Sequence, residues 1–289
     1  MTLRIRACVK THPGLRRTNN EDSGFIGRRL FLVADGMGGH DFGEVASAIV
    51  ARTVAYLDDH LSLFGPERDI VGAVEFADQR LARAIENNAA LGGMGTTLTA
   101  MLIHHDTIAL TNIGDSRAYV LRNREMIQLT HDDTYVQMLA DKGWLDPKLI
   151  PQHPQRSVLL RVLRGGDDGG TAEVSLHEAV PGDRYLLCSD GLSDYVAGEA
   201  IQKTLASTKH AGKAIDRLIA LALKAGAPDN VTCVIGDVVD EDSTPTVDGE
   251  FVGSAQELGE GAIEAAEQKV AEVKSSGTPA GNSGMLKSA

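Results

Sequence analysis

The chain has 289 residues, 43% of them hydrophobic, which is enough to bury the core of one large domain or two small ones. Its net charge of −12 argues against nucleic acid as a partner, because phosphate backbones bind basic surfaces. No apolar run reaches the roughly 18 residues that span a membrane, and the first ten residues lack a signal-peptide core. The three cysteines lie in strand-like runs without disulfide or zinc spacing, which favours a reducing, cytoplasmic environment.

The first third of the chain predicts two strands followed by two helices. Alternating and β-branched residues predict strands over 3–10 and 24–34. Apolar residues at helical spacing predict a helix that begins near Gly43 and a second helix over about 70–85. Gly65 and Pro66 separate the two helices.

Short strand-like runs dominate the middle of the chain, and their close spacing is typical of antiparallel hairpins. A stretch rich in proline and glycine, residues 146–170, predicts a loop or flap. The remaining predicted elements are strands over 96–104, 107–112, 117–121, 126–129, 172–180, 184–190 and 231–239, and helices over 132–142 and 211–225.

Together these elements predict an α+β domain over residues 1–240, with two stacked antiparallel β-sheets flanked by pairs of helices, an αββα sandwich. After Asp240 the composition shifts to Ala, Gly, Ser and Glu, and half of the net charge lies there. We therefore predict that residues 241–289 are an acidic tail that is largely disordered, with a marginal helix over 256–274. We expect deletion of residues 243–289 to leave turnover of a small substrate nearly unchanged.

Four strand-like runs adjoin a turn that carries an aspartate. These aspartates are Asp35, Asp115, Asp190 and Asp229. If the turns converge, two carboxylates about 4 Å apart repel by roughly 4 kcal/mol at an effective dielectric near 20. The group then takes up protons or holds a multivalent cation, and oxygen ligands suit magnesium, manganese or calcium. The alternative, that each aspartate only caps its own turn, weakens because all four adjoin core strands.

Two arginines, Arg16 and Arg17, precede the acidic motif Asn20-Glu21-Asp22. Arginine binds phosphate oxygens through a two-pronged geometry, so one of the pair is a candidate for holding an anionic substrate. The alternative is that both belong to a solvated basic loop.

These residues resemble the PP2C (PPM) family of metal-dependent serine/threonine protein phosphatases, in its bacterial branch. The resemblance runs from about residue 4 to 239. Its blocks, in chain order, are Gly14-x-x-Arg17-x-x-Asn20-Glu21-Asp22, Ala34-Asp35-Gly36-Met37-Gly38-Gly39-His40, Gly95-Thr96-Thr97, Gly114-Asp115-Ser116-Arg117, His153-Pro154-Gln155-Arg156, Cys188-Ser189-Asp190-Gly191 and Asp229-Asn230-Val231-Thr232.

The resemblance implies two cations at the core of the site, manganese or magnesium. By similarity, Asp35 bridges both cations, and the backbone carbonyl of Gly36 joins one of them. Asp190 and Asp229 are implied as ligands of the other.

The resemblance also implies several residues around this pair. Glu21 would act through a metal-bound water, and Arg17 would bind the substrate phosphate. Bacterial members often hold a third cation, for which Asp115 and Asp190 are the implied ligands, with Ser157 from the flap.

The implied reaction is hydrolysis of phosphoserine and phosphothreonine in proteins, by in-line attack of a metal-bridged hydroxide without a phosphoenzyme. Met37 occupies the position where many eukaryotic members have a histidine that donates a proton, and methionine cannot do so. The implied partners are phosphorylated proteins and a bacterial Ser/Thr kinase that the enzyme counteracts, with the chain itself a monomer. Two alternatives stay open: hydrolysis of a small phosphoester on the same fold, and a non-catalytic phosphoprotein-binding module.

Overall fold

The computed structural model describes residues 3–38, 42–166, 172–240, 249–261 and 263. Its strands are β1 (Arg4–His12), β2 (Asp22–Ile26), β3 (Leu30–Met37), β4 (Gly95–Thr96), β5 (Leu98–His104), β6 (Thr107–Ile113), β7 (Arg117–Arg122), β8 (Glu125–Gln128), β9 (Val174–Glu178), β10 (Arg184–Cys188), β11 (Val231–Val239) and β12 (Glu250–Gly253). Its α-helices are α1 (Gly43–Ala55), α2 (Pro66–Asn87), α3 (Tyr135–Asp141), α4 (Asp190–Ser193), α5 (Gly198–Ser207), α6 (Ala211–Lys224) and α7 (Ser254–Glu257).

Two antiparallel sheets form the centre of the molecule. One has the strand order β1-β11-β10-β7-β8, and the other has the order β12-β2-β3-β5-β6-β9, with β4 paired to β3. The sheets stack face to face, α1 and α2 cover the second sheet, and α5 and α6 cover the first. The predicted α+β sandwich is therefore confirmed.

The central strands are apolar on both faces because each lies between two layers. In β3, Phe31 and Val33 pack between the sheets, whereas Leu32 faces the helices α1 and α2. In β10, Leu187 packs between the sheets and Leu186 faces α5 and α6. Strands buried on both faces are held rigidly, so the turns at their ends are fixed in space.

Two differences between the predicted and the observed elements have clear physical reasons. The single strand expected over 24–34 is two strands, β2 and β3, because the turn between them is closed by the buried carboxylate of Asp58, which accepts the backbone N–H groups of Arg28, Arg29 and Leu30. Helix α5 was not predicted, because few of its positions are apolar and buried.

The prediction of a disordered tail is wrong for residues 249–261. There β12 pairs with β2, with Phe251 opposite Phe25, and α7 packs against α1. The average composition of residues 241–289 did not reveal this ordered segment. Its few apolar residues become buried only by packing against β2, a strand more than 200 residues away. A deletion from residue 243 would remove β12, so the expected tolerance of that deletion no longer holds. Residues 241–248, 262 and 264–289 lie outside the described residues.

No helix in the described part of the chain combines the length and the apolar character that crossing a membrane requires.

Candidate metal centre and active site

A cavity of about 270 Å³ lies where the carboxyl ends of β3 and β10 meet the turns before β7 and β11. All eight residues predicted for the site line it. They are Arg17, Glu21, Asp35, Gly36, Asp115, Ser157, Asp190 and Asp229. The fold therefore brings together side chains that are separated by more than 200 positions in the sequence.

The backbone of Asp35 in β3 is fixed from the neighbouring strand. Its N–H donates to Thr97 Oγ1 over 3.0 Å, and Thr96 Oγ1 donates to its carbonyl oxygen over 2.9 Å. The next residue is Gly36, where a Cβ atom would lie 2.2 Å from the carbonyl oxygen of Gly43 and 2.5 Å from that of Glu21. Only glycine allows this close approach, which holds Gly36 beside the cavity.

The loop between β1 and β2 carries Arg17 and Glu21, and Asn230 ties it to the turn before β11. Asn230 Oδ1 accepts the N–H of Glu21 over 2.8 Å, and Asn230 Nδ2 donates to the carbonyl oxygens of Pro13 and Asn19. Sequence reasoning included Asn230 only as part of a motif and assigned it no role. The buried amide positions the loop that contributes two cavity residues.

Arg17 reaches across the cavity rim to Asp229. Its Nη2 donates to Asp229 Oδ2 over 2.8 Å, and this hydrogen bond raises the pKa of the guanidinium. The side chains are 48% and 30% exposed. Solvent-exposed ion pairs contribute at most about 1 kcal/mol, so Arg17 can exchange this contact for an anionic ligand at small cost.

Asp190 is the first residue of α4, and a single residue, Ser189, separates it from the end of β10. Burial, followed by the negative charges of Asp115 and Asp194, raises its pKa well above the usual range of a carboxyl. Within the described part of the chain, its buried Oδ1 atom has no hydrogen-bond partner. Such an atom is costly unless a cation or proton compensates it.

The carboxyl groups of Asp35 and Asp115, which also line the cavity, have raised pKa values like that of Asp190. Burial raises the pKa of Asp35 well above its usual range, with added repulsion from Asp22 and Asp190. Burial and the charge of Asp132 raise the pKa of Asp115 to about 7.

Asp22 is a buried carboxylate that sequence reasoning placed in a motif but not in the site. It lies opposite Asp35 in the pairing of β2 with β3, and its Oδ2 accepts the hydroxyl of Ser189 over 2.8 Å. Burial raises its pKa to about 7. Its Oδ1 atom, like that of Asp190, has no hydrogen-bond partner among the described residues. Asp22 therefore adds a buried acidic group beside Asp35, although it does not line the cavity.

The donor atoms at this site fit hard divalent cations. They are carboxylate and carbonyl oxygens in a buried, mutually repelling group. One of them, Asp190 Oδ1, has no hydrogen-bond partner among the described residues. No three His, Cys, Asp or Glu side chains among the described residues stand ready as a ligand cluster for one ion. Magnesium-like ions are nevertheless bound through one or two carboxylates and several waters, so a dispersed set of carboxylates still fits them.

Neither sulfur residue near the site offers acid or nucleophile chemistry. Met37 lines the cavity and has no proton to donate. Burial raises the pKa of the Cys188 thiol to about 12, so it stays protonated near neutral pH. His40 lies outside the described residues.

A larger cavity of about 830 Å³ lies at the opposite ends of β7, β10 and β11. Its acidic residues Asp183 and Asp237 each bind an arginine, Arg122 and Arg184. Because these charges are already paired, size alone does not make this cavity the reactive site, and we assign chemistry to the smaller one.

Fold and site together define a class of protein: an αββα sandwich with an acidic, oxygen-lined cavity at its strand ends. Residues 18–225 match the family model described as "Protein phosphatase 2C". The chain belongs to this family.

Named relatives agree with this assignment. The chain is 45% identical over 265 residues to the serine/threonine protein phosphatase PstP of Mycobacterium tuberculosis, a match that covers 89% of this chain and 50% of PstP. It is 31% identical over 240 residues to the serine/threonine phosphatase stp of Listeria monocytogenes, covering 80% of this chain and 95% of that protein. The chain thus spans about half the length of PstP.

A solved structure agrees as well. The catalytic domain of a phosphatase named PstP, in complex with two manganese ions, superposes with a TM-score of 0.77 at 44% identity. The superposition covers 83% of this chain and all of that one.

Proposed function

We propose that this chain is a metal-dependent protein phosphatase that hydrolyses phosphoserine and phosphothreonine in proteins. One observation carries the proposal: a single cavity collects buried carboxylates with raised pKa values and places Arg17 at its rim. The names of the PstP and stp relatives point to the same activity.

The cations would be held by Asp35, the carbonyl of Gly36, Asp190 and Asp229, with Glu21 acting through a water. A third cation would be held by Asp115 and Asp190, with Ser157 at the exposed edge of the cavity. Manganese is favoured by the ions in the PstP structure, and magnesium suits the same oxygen donors. When bound, such cations lower the pKa of a coordinated water toward about 7 to 9 and neutralise developing charge on phosphoryl oxygens.

The protein side chains provide binding and orientation. Arg17 leaves Asp229 and binds the phosphoryl oxygens of the substrate, since a guanidinium matches their geometry. Thr96, Thr97 and Asn230 hold the backbones that carry Asp35 and Glu21. Met37 cannot protonate the departing serine or threonine oxygen, so that proton comes from a water molecule or from another group.

The substrates would be proteins that a Ser/Thr kinase has phosphorylated, and the phosphatase would reverse that modification. The small-phosphoester alternative predicts a different ranking of substrates, and a non-catalytic binding module predicts no turnover.

A manganese-dependent assay separates these functions. We expect the full chain to hydrolyse phosphoserine and phosphothreonine peptides faster than phosphotyrosine peptides or small phosphometabolites, and to lose this activity with a chelator. Faster hydrolysis of a phosphometabolite, or full activity with the chelator present, would contradict the proposal.

A further inference from the structure

Residues 249–261, here called the strap, follow the region that the family model matches. They add strand β12 to the edge of the sheet that contains β2 and β3. The strap comprises β12 and α7, and β12 pairs with β2 from Glu250 opposite Ile26 to Gly253 opposite Ser23. The family model matches residues 18–225, and the strap follows that stretch in the sequence. It covers β2, which would otherwise be an edge strand with open backbone hydrogen-bonding groups.

The side chain of Arg52 in α1 binds the strap. Arg52 Nε donates to the carbonyl oxygens of Ala255 and Leu258 over 2.9 and 3.0 Å, and Arg52 Nη2 donates to Ala255 over 2.6 Å. The same guanidinium lies 4.7 Å from the centre of the Phe251 ring, which packs 4.6 Å from Phe25. Because one guanidinium makes all of these contacts, it holds the strap in one specific position against α1.

The strap also contacts the segment that carries Glu21. Ser254 Oγ donates to the carbonyl oxygen of Asn20 over 2.6 Å, one residue before Glu21. Gly253 adopts the left-handed φ of +68°, and a Cβ there would lie 2.1 Å from the carbonyl oxygen of Asp22, one residue after Glu21. The strap therefore touches the backbone on both sides of a proposed metal-site residue.

A chain of hydrogen bonds continues from the strap to Glu21 itself. The N–H of Ala255 donates to Ser23 Oγ over 3.0 Å, Ser23 Oγ lies 2.9 Å from Ser47 Oγ, and Ser47 Oγ donates to the carbonyl oxygen of Glu21 over 2.5 Å. Because the Ser47 hydroxyl donates to Glu21, the Ser23 hydroxyl donates to Ser47. Aligned bonds of this kind strengthen one another.

The same Glu21 carbonyl also accepts the N–H of Gly36 over 3.2 Å. One oxygen atom thus joins the strap network to Gly36, whose own carbonyl is a proposed cation ligand. Displacement of the strap would loosen Glu21 and Gly36 together, although no strap residue lines the cavity.

We propose that the strap is a positioning element of the metal centre and that its docking sets the affinity of the site for divalent cations. Ser254 and Gly253 are its positioning residues. The catalytic part of this inference rests on the proposed function, whereas the cation-binding part can be measured without turnover.

The test uses the full chain with Gly253→Ala and, as a matched control, Gly259→Ala. Gly259 lies in the same segment, and a Cβ there would meet no atom within 4 Å. We expect Gly253→Ala to weaken Mn²⁺ binding, measured by calorimetry, by about tenfold, the lower range for residues that support metal ligands. We also expect faster hydrogen exchange of the Gly36 amide and lower turnover, with Gly259→Ala equal to the wild type.

If Gly253→Ala does not fold, a less disruptive substitution, Ser254→Ala, tests the same inference. Its matched control is Ser207→Ala in α5. We expect Ser254→Ala to weaken Mn²⁺ binding by about threefold, roughly the net value of one hydrogen bond, and Ser207→Ala to have no effect. Wild-type Mn²⁺ affinity and Gly36 exchange in the folded strap variants would overturn the inference. A wild-type chain that binds Mn²⁺ but hydrolyses no phosphopeptide would refute the proposed function and leave the strap effect measurable.

Discussion

The two ends of β7, β10 and β11 carry buried acidic groups in opposite arrangements. At one end, Asp183 accepts Arg122, and Asp237 accepts Arg184, which also donates to three backbone carbonyls. At the other end, Asp115 and Asp190 both line the smaller cavity, and the pKa values of both carboxyls are raised. At one end of these strands, the aspartates are paired with arginines, and these pairs stabilise the fold. At the other end, the two aspartates lack such partners among the described residues and are suited to binding a cation.

Charge pairing, rather than the presence of acidic residues or the size of a cavity, distinguishes the structural site of this protein from the reactive one. Buried carboxylates that lack a cationic partner store unfavourable free energy until a cation binds. Removing an acidic group should therefore have opposite consequences at the two ends.

The largest effect is expected for Asp190→Asn. Without this carboxylate the cavity loses a proposed cation ligand, so manganese-stimulated turnover of an aryl phosphate should fall by about 10³-fold, the scale of losing a major electrostatic stabiliser. The metal-free variant should melt at a higher temperature than the wild type, because a buried charge without a partner is gone. Turnover within tenfold of the wild type would show that Asp190 is not a ligand.

At the opposite edge, Asp237→Asn should reverse this pattern. Arg184 is buried and would lose its carboxylate partner while keeping its backbone acceptors, which should lower the free energy of unfolding by about 2 kcal/mol. Turnover should stay within about twofold of the wild type, since contacts far from a site seldom couple to it. Denaturant unfolding and the aryl phosphate assay measure both quantities, and a large loss of turnover would mean that the two ends are coupled.

Arg17→Ala should have a smaller effect, with a matched control in Arg16→Ala. Only Arg17 of this pair lines the cavity. Its removal should raise KM for a phosphopeptide by about tenfold, the scale of one charge-assisted contact. Arg16→Ala should leave KM unchanged, and equal effects of the two substitutions would indicate general electrostatic attraction.

A further prediction is a pH dependence of stability. Asp22 and Asp115 have pKa values raised to about 7 in the folded, metal-free protein, whereas unfolded aspartates titrate near 4. The folded state binds more protons between these values, so the free energy of unfolding should fall as pH rises from about 4 to 7. Bound cations offset the repulsion, and the increase in melting temperature caused by Mn²⁺ should therefore be larger at pH 7.5 than at pH 5. The same increase at both pH values would argue against uncompensated carboxyls.

The sequence was sufficient to predict the sandwich and the residues that surround the cavity. Asp35, Asp115, Asp190 and Asp229 each adjoin a glycine or asparagine turn beside an apolar run, so local pattern alone marked them. The family resemblance then supplied Gly36, Glu21, Arg17 and Ser157. Their common location follows from strand ends that the stacked sheets hold in place.

Sequence reasoning missed features that depend on long-range partners. Asn230 gains its role only because its amide meets Pro13 and Asn19, more than 200 residues away. Asp22 is the first residue of β2, and its burial depends on which strand pairs with β2. The strap combines a weak apolar pattern with an acidic composition, so its docking depends on Arg52 and β2 rather than on its own sequence.

The most direct test is a calorimetric titration of Mn²⁺ into the metal-free chain and into the Asp190→Asn and Asp237→Asn variants. The wild type and Asp237→Asn should bind more than one Mn²⁺ per chain, and Asp190→Asn should lose at least one of these ions or bind far more weakly. Indistinguishable isotherms for all three proteins would contradict the claim that unpaired carboxylates at one end of the sandwich form a cation site.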